Sequence, residues 1–194
     1  MNKPNRTLFY AAASMILFAA LTRLFPHYPN FTAIGAIAVF GGAVIKDRKI
    51  AFLLPLAALI LSDVCLELFT PIKGFYGMGQ LFVYGAFVLI TWLAGFIGKR
   101  SVANVAFAAV WSGLIFFIIS NFGVWLLSGS FYPKTLGGLM ACYWAAIPFY
   151  QGYLTGSFLL NGIVGDLFFI ALLFGTYSII ENKIAAQNLQ TQKL

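Results

Sequence analysis

The sequence predicts an all-α integral membrane bundle of six transmembrane helices, with an interfacial or re-entrant segment before the last one. Three observations carry this. Of 194 residues only 9% are charged and 61% are hydrophobic, against roughly 25% charged in a soluble domain. Six apolar stretches reach or approach the roughly 17–25 residues that cross a bilayer as a helix. The basic residues sort between the intervening loops in a way that fits one orientation.

The first stretch, residues 8–25, is too long for a signal-peptide core and lacks a small-residue cleavage site, so it reads as a retained helix. The second, 31–45, is short and holds Gly35, Gly41 and Gly42, which suit close helix contact. The third, 50–69, contains Pro55, expected to kink it where neighbours satisfy the freed carbonyl. The fourth, fifth and sixth are 81–97, 102–127 and 158–180, and residues 181–194 form a polar tail. Residues 136–150 are apolar, but as a helix they reach only about 22 Å, short of a hydrocarbon core of about 30 Å. Tyr143, Trp144 and Tyr150 in that segment suit the water–lipid boundary. No internal repeat or linker divides the chain, so residues 1–194 form one membrane domain.

With the N-terminus inside, the cytoplasmic segments hold nine basic residues: Lys3, Arg6, Lys46, Arg48, Lys49, Lys99, Arg100, Lys183 and Lys193. The outer segments hold three, Arg23, Lys73 and Lys134. If 136–150 also crossed, the balance would fall to seven against five. This places both termini in the cytoplasm, with the chain a multi-pass membrane protein. The net charge of +7 therefore reflects orientation and not a nucleic-acid partner.

A charge within hydrocarbon is costly and marks function more often than chance. Arg23, His27, Asn30, Asp63, Glu67, Asn121 and Asp166 all fall near the outer ends of their stretches. Asp63 and Glu67 are four apart and share a helix face. Arg23 is the nearest cation in depth, and it serves either to lock helix one to helix three or to help hold a ligand. His27 is the only histidine, which suits a loop hydrogen bond or a ligand contact; one imidazole without a second nitrogen ligand argues against zinc. Asp166 should face the bundle interior, joining helices or meeting substrate. Tyr84 is placed so that its hydroxyl can reach the cluster, within an aromatic-rich outer side (Tyr76, Trp125, Tyr132, Tyr143, Trp144, Tyr153).

Cys65 and Cys142 sit in apolar surroundings with no CxxC spacing; they read as small buried hydrophobes, with a disulfide left open. No GxSxG, HExxH, phosphate-binding loop or dinucleotide fingerprint occurs, so no catalytic residue and no resident cofactor or metal is expected.

The segments RLFPHYPNFTAIGAIAVFGGA (23–43), PLAALILSD (55–63), VYGAF (83–87), NFGVWL (121–126), YPKT (132–135), YWAAIPF (143–149) and GDLFFIALLFG (165–175) resemble a family of small six-helix bacterial membrane proteins. Its best-understood branch is the BtuM-type vitamin B12 transporters, which are similar to solitary substrate-binding components of energy-coupling-factor transporters. The resemblance implies that fold, and it implies pocket roles for His27, Asp63 and Tyr84. It also marks departures. The branch's cobalt-binding cysteine precedes VYGAF, where this chain has Tyr76-Gly77-Met78-Gly79-Gln80. Cys65, about 200° around a helix from Asp63, does not replace it. A branch arginine after AAIPF corresponds to Gln151, and the AxxxA docking motif of helix one is absent, since Ala11, Ala12 and Ala13 are followed four residues on by Met15, Ile16 and Leu17.

The expected function is binding and uptake of a small vitamin-like molecule, a cobalamin-like corrinoid among them, through an outward-facing pocket. The expected partners are that ligand, the lipid bilayer and an unidentified transporter or membrane-complex component. The alternatives are an accessory subunit of a larger membrane assembly, with the polar cluster as glue, and a membrane-embedded enzyme using Asp63, Glu67 or His27 as acid–base groups.

Overall fold

The computed structural model describes residues 3–148 and 154–191. They form seven α-helices and no strand: α1 Lys3–Leu21, α2 Ile34–Val44, α3 Arg48–Phe69, α4 Gly79–Ala94, α5 Val102–Leu127, α6 Leu136–Ala146 and α7 Phe158–Thr191. A single 3-10 turn, Thr22–Leu24, continues α1. Four helices, α1, α3, α5 and α7, are long and apolar enough to cross a membrane; α2, α4 and α6 are apolar but shorter. Outward faces carry large apolar side chains such as Phe18, Leu53, Leu68, Phe107 and Leu172. An apolar exterior of that extent suits lipid and not water.

The helix starts follow local chemistry. Asp47 accepts from the Ile50 N–H (3.1 Å), Ser101 from Asn104 (3.3 Å) and Thr135 from Gly138 (3.2 Å), the N-cap contacts that satisfy orphan donors. Pro55 lies inside α3 with its flat ring against Gly41 of α2.

The architecture is a helix wrapped by others. α2 contacts α1, α3, α4, α5 and α7, and every residue from Ile34 to Gly42 is buried. Its glycines allow this. A methyl group on Gly35 would overlap the Asp166 carboxylate, and one on Gly42 would overlap the Thr91 carbonyl. Phe40 packs edge-on against both Phe174 and Tyr177 of α7.

Several boundaries differ from the sequence-based expectation. α2 is eleven residues and not the fifteen of 31–45, because Pro26 and Pro29 break the approach and Asn30 takes a left-handed φ of 60°. Phe31 and Thr32 are then held in turns by the carbonyls of Tyr28 and Asn30. α4 spans 79–94 and not 81–97: at Gly95 the Arg48 guanidinium packs where a side chain would stand and donates to the Gly95 carbonyl (3.2 Å). α7 runs on to Thr191, so most of the polar tail is helical; its Glu, Lys, Ala and Gln residues are good helix formers, and Glu181 pairs with Arg100. The 136–150 segment is helical through Ala146, while Phe149, Tyr150, Gln151, Tyr153 and Lys193 lie outside the described residues.

Candidate functional site

The end of α1, the 25–33 approach to α2, the end of α3, the start of α4 and the start of α7 meet toward one end of the bundle, as their polar contacts show. Two buried acids organise that end, each with its own network.

Asp63 of α3, 1% exposed, is the first. Arg23, just past α1, donates from Nη1 to Asp63 Oδ1 (2.5 Å) and to Ser62 Oγ (2.6 Å). From α4, Gln80 Nε2 (2.7 Å) and Tyr84 OH (2.9 Å) both donate to Asp63 Oδ2. Gln80 and Tyr84 are four apart and so lie on one face of α4. The carboxylate thus ties three helices together and is neutralised by a guanidinium whose side chain is 14% exposed. Charge-assisted contacts of this kind are the strong ones. One polar atom remains without a partner: Gln80 Oε1, buried and unbonded among the described residues.

Asp166 of α7 is the second, 5% exposed. Ser112 of α5 donates to its Oδ2 (2.9 Å), and the carboxylate lies against Gly35 with the Ala36 backbone N–H facing it, in the first turn of α2. Ala33, at the N-cap of α2, offers no side-chain cap, so an acid from another helix does that work. A carboxylate at a helix N-terminus satisfies orphan donors and meets the positive end of the helix dipole. Ser112 is ten residues from the start of a 26-residue helix, so α2 begins deep inside the bundle. The chain before it is pinned to α7: Asn161 Nδ2 donates to the Pro29 carbonyl (3.0 Å), and Asn30 Nδ2 to the Phe158 carbonyl (3.4 Å).

The remaining candidates from sequence sit apart from both acids. Glu67 accepts from the Gly74 N–H (2.8 Å) and holds the loop whose Gly74 packs directly on the Asp63 carbonyl; it does not pair with Arg23. His27 is exposed, and its Nδ1 lies 2.7 Å from the Phe25 carbonyl of its own loop. Asn121 donates to the Phe117 carbonyl one turn back (2.8 Å), while its own carbonyl receives the Cys142 thiol (3.5 Å) and so anchors α6. Cys65 and Cys142 are both free thiols. Ser62, Gln80, Ser112 and Asn161 were not singled out from sequence. Their shared signal is a small or amide side chain inside an apolar stretch, level with an acid.

Two recesses stand out among the described residues, and neither is lined by Arg23, His27, Asp63 or Tyr84. One, of about 10 Å³, lies between α2, α3 and α4. The other, of about 470 Å³, lies between α4 and α5 at the opposite end of the bundle.

The sequence model of a family described as a family of unknown function (DUF6580) matches residues 3–189. No curated protein matches the chain, and no solved structure does. A match over nearly the whole length means that the chain belongs to this DUF6580 family.

Proposed function

We propose that this DUF6580 chain is a membrane-embedded binding component for uptake of a small vitamin-like molecule, a corrinoid among the candidates, taken from the outer face. In this reading it crosses the bacterial inner membrane six times with both termini in the cytoplasm. α2 and α4 are counted as spans, with the chain on either side completing the crossing, and α6 lies at the outer boundary.

One observation carries the reading. The Asp63 network combines a buried acceptor without a donor, Gln80 Oε1, with the half-buried Tyr84 and Arg23 at its edge. A buried polar atom left unsatisfied costs about 1–3 kcal/mol. A ligand N–H or O–H delivered past Tyr84 removes that cost. Gln80 Oε1 is buried here, and the loop that packs on Asp63 through Gly74 is the segment that would move aside to admit a ligand. The α2 start adds support: short helices beginning at mid-depth recur at the substrate sites of membrane transporters, and Asp166 stands at this one.

A second reading has its own observation. Asp63 is 1% exposed and fully engaged by three donors, as expected of helix glue in an accessory subunit. Acid–base catalysis has less support, because His27 is exposed and bonded within its own loop.

The two readings separate in a thermal-shift screen of the detergent-purified protein against cobalamin and other vitamins. A binder at 100 times its dissociation constant adds about 2.7 kcal/mol. The uptake reading expects a hit that Tyr84→Phe and Gln80→Leu weaken without unfolding the protein. A hit that both variants leave untouched removes the site from the reading, and an empty screen with a stably co-purifying membrane partner favours the accessory role.

A further inference from the structure

We propose that the groove between α4 and α5 at the basic end of the bundle binds one anionic phospholipid of the surrounding bilayer. The inference is independent of what the Asp63 end binds. The groove holds about 470 Å³. One wall is the end of α4 and its turn, with Phe96 and Gly98; the other is a face of α5 carrying Asn104, Phe107, Trp111 and Ile115. Residues 107, 111 and 115 repeat every four positions, so their side chains form one strip along the helix. Eight residues of helix make that strip about 12 Å long. It runs along α5, the direction an acyl chain takes beside a membrane helix, and it is apolar except for the Trp111 indole N–H.

Charged groups gather at the mouth. Asn104 donates to the Lys99 carbonyl (2.8 Å) and fixes the turn there. Lys99 is exposed and has no acidic partner among the described residues. The Arg48 guanidinium lies 5.5 Å from the centre of the Phe96 ring and so caps the opposite wall. Of the two acids at this end, Glu181 is bonded to Arg100 at 3.1 Å and Asp47 caps the start of α3 beside Arg48; against Lys46, Arg48, Lys49, Lys99 and Arg100 they leave this end with a surplus of positive charge. An apolar strip ended by cations is complementary to an acyl chain ended by a phosphate. Basic recesses between membrane helices on the cytoplasmic side bind anionic headgroups for the same reason. The other cavity, at about 10 Å³, has room for no more than a water.

The test exchanges purified protein into mixed micelles of phosphatidylglycerol or phosphatidylcholine with matched chains, read by native mass spectrometry and by melting. Phosphatidylglycerol should be retained about fivefold more for each cation engaged. Lys99→Gln should reduce that preference, and Lys99→Gln with Arg48→Gln should abolish it. Phe107→Ala should weaken retention of both lipids alike. Glycerol 3-phosphate, a headgroup without chains, should leave the melting temperature unchanged. Equal retention of the two lipids overturns the proposal, as does a preference that survives in a folded double variant. Stabilisation by glycerol 3-phosphate alone replaces it with a soluble-anion site.

Discussion

Asp63 and Asp166 are the same side chain, both buried in an apolar bundle, yet they are compensated in opposite ways. Asp63 has a cation: Arg23 supplies a full charge, and Gln80 and Tyr84 complete its shell. Asp166 has no cation among the described residues; its partners are a hydroxyl and the N-terminal amide of α2. The first acid joins helices through side chains. The second fixes where a helix starts, through backbone. The difference teaches that each buried acid in this bundle has an architectural part, and that among the described residues the Asp63 shell is the one with an unused hydrogen-bonding atom.

The largest break in this comparison should come from Arg23→Ala. It leaves Asp63 buried without its counter-charge, and removing one partner of a buried pair costs about 3–5 kcal/mol; thermal melting in detergent measures it. Arg23→Leu with Asp63→Leu should recover only part of that loss, because Gln80 Nε2 and the Tyr84 hydroxyl are then left without their acceptor. Asp166→Asn keeps the shape but weakens the contacts to Ser112 and Ala36, and should cost about 1.5–3 kcal/mol, with amide exchange at Ile34–Ile37 rising before the global transition. Gly42→Ala should cost about 1–3 kcal/mol by pushing α2 off α4. Tyr84→Phe removes one of three donors to Asp63, a loss of about 0.5–1.5 kcal/mol. His27→Ala should stay within about 0.5 kcal/mol of the parent, because an exposed side chain bonded only to its own loop contributes little. A large effect at His27 would mean that its loop packs against something the isolated chain lacks.

Much of this was readable from composition and spacing. α5 begins and ends at the predicted residues, 102–127, because a long apolar run bounded by Ser101 and Ser128 leaves little choice. The glycines of α2 marked close packing correctly, since small residues let helix backbones approach. The Arg23–Asp63 pair and the reach of Tyr84 also followed from depth along their helices. What could not be read was the division of one outer cluster into two networks. Depth is a single coordinate; rotation of each helix about its axis decides which side chains meet. Glu67 shares a face with Asp63 yet turns to the Gly74 amide, and Asn121 turns back to its own helix. The trans-capping by Asp166 was illegible for another reason: it depends on Ala33 lacking a cap, which matters only once α2 is known to start there. The length of α7 was missed because polarity was taken as the end of the helix, when it marks only the end of the apolar stretch.

The shortness of α2 bears on how the molecule is made. Eleven residues, about 16 Å of helix, are too few for the translocon to release into lipid as an independent segment. The flanking turns, with their proline and asparagine bends, would be still less welcome there alone. In the proposed six-span topology α2 is therefore carried in between α1 and α3 and shielded by α4, α5 and α7 as they emerge, which makes the centre of the finished bundle the part that depends most on the order of its biogenesis.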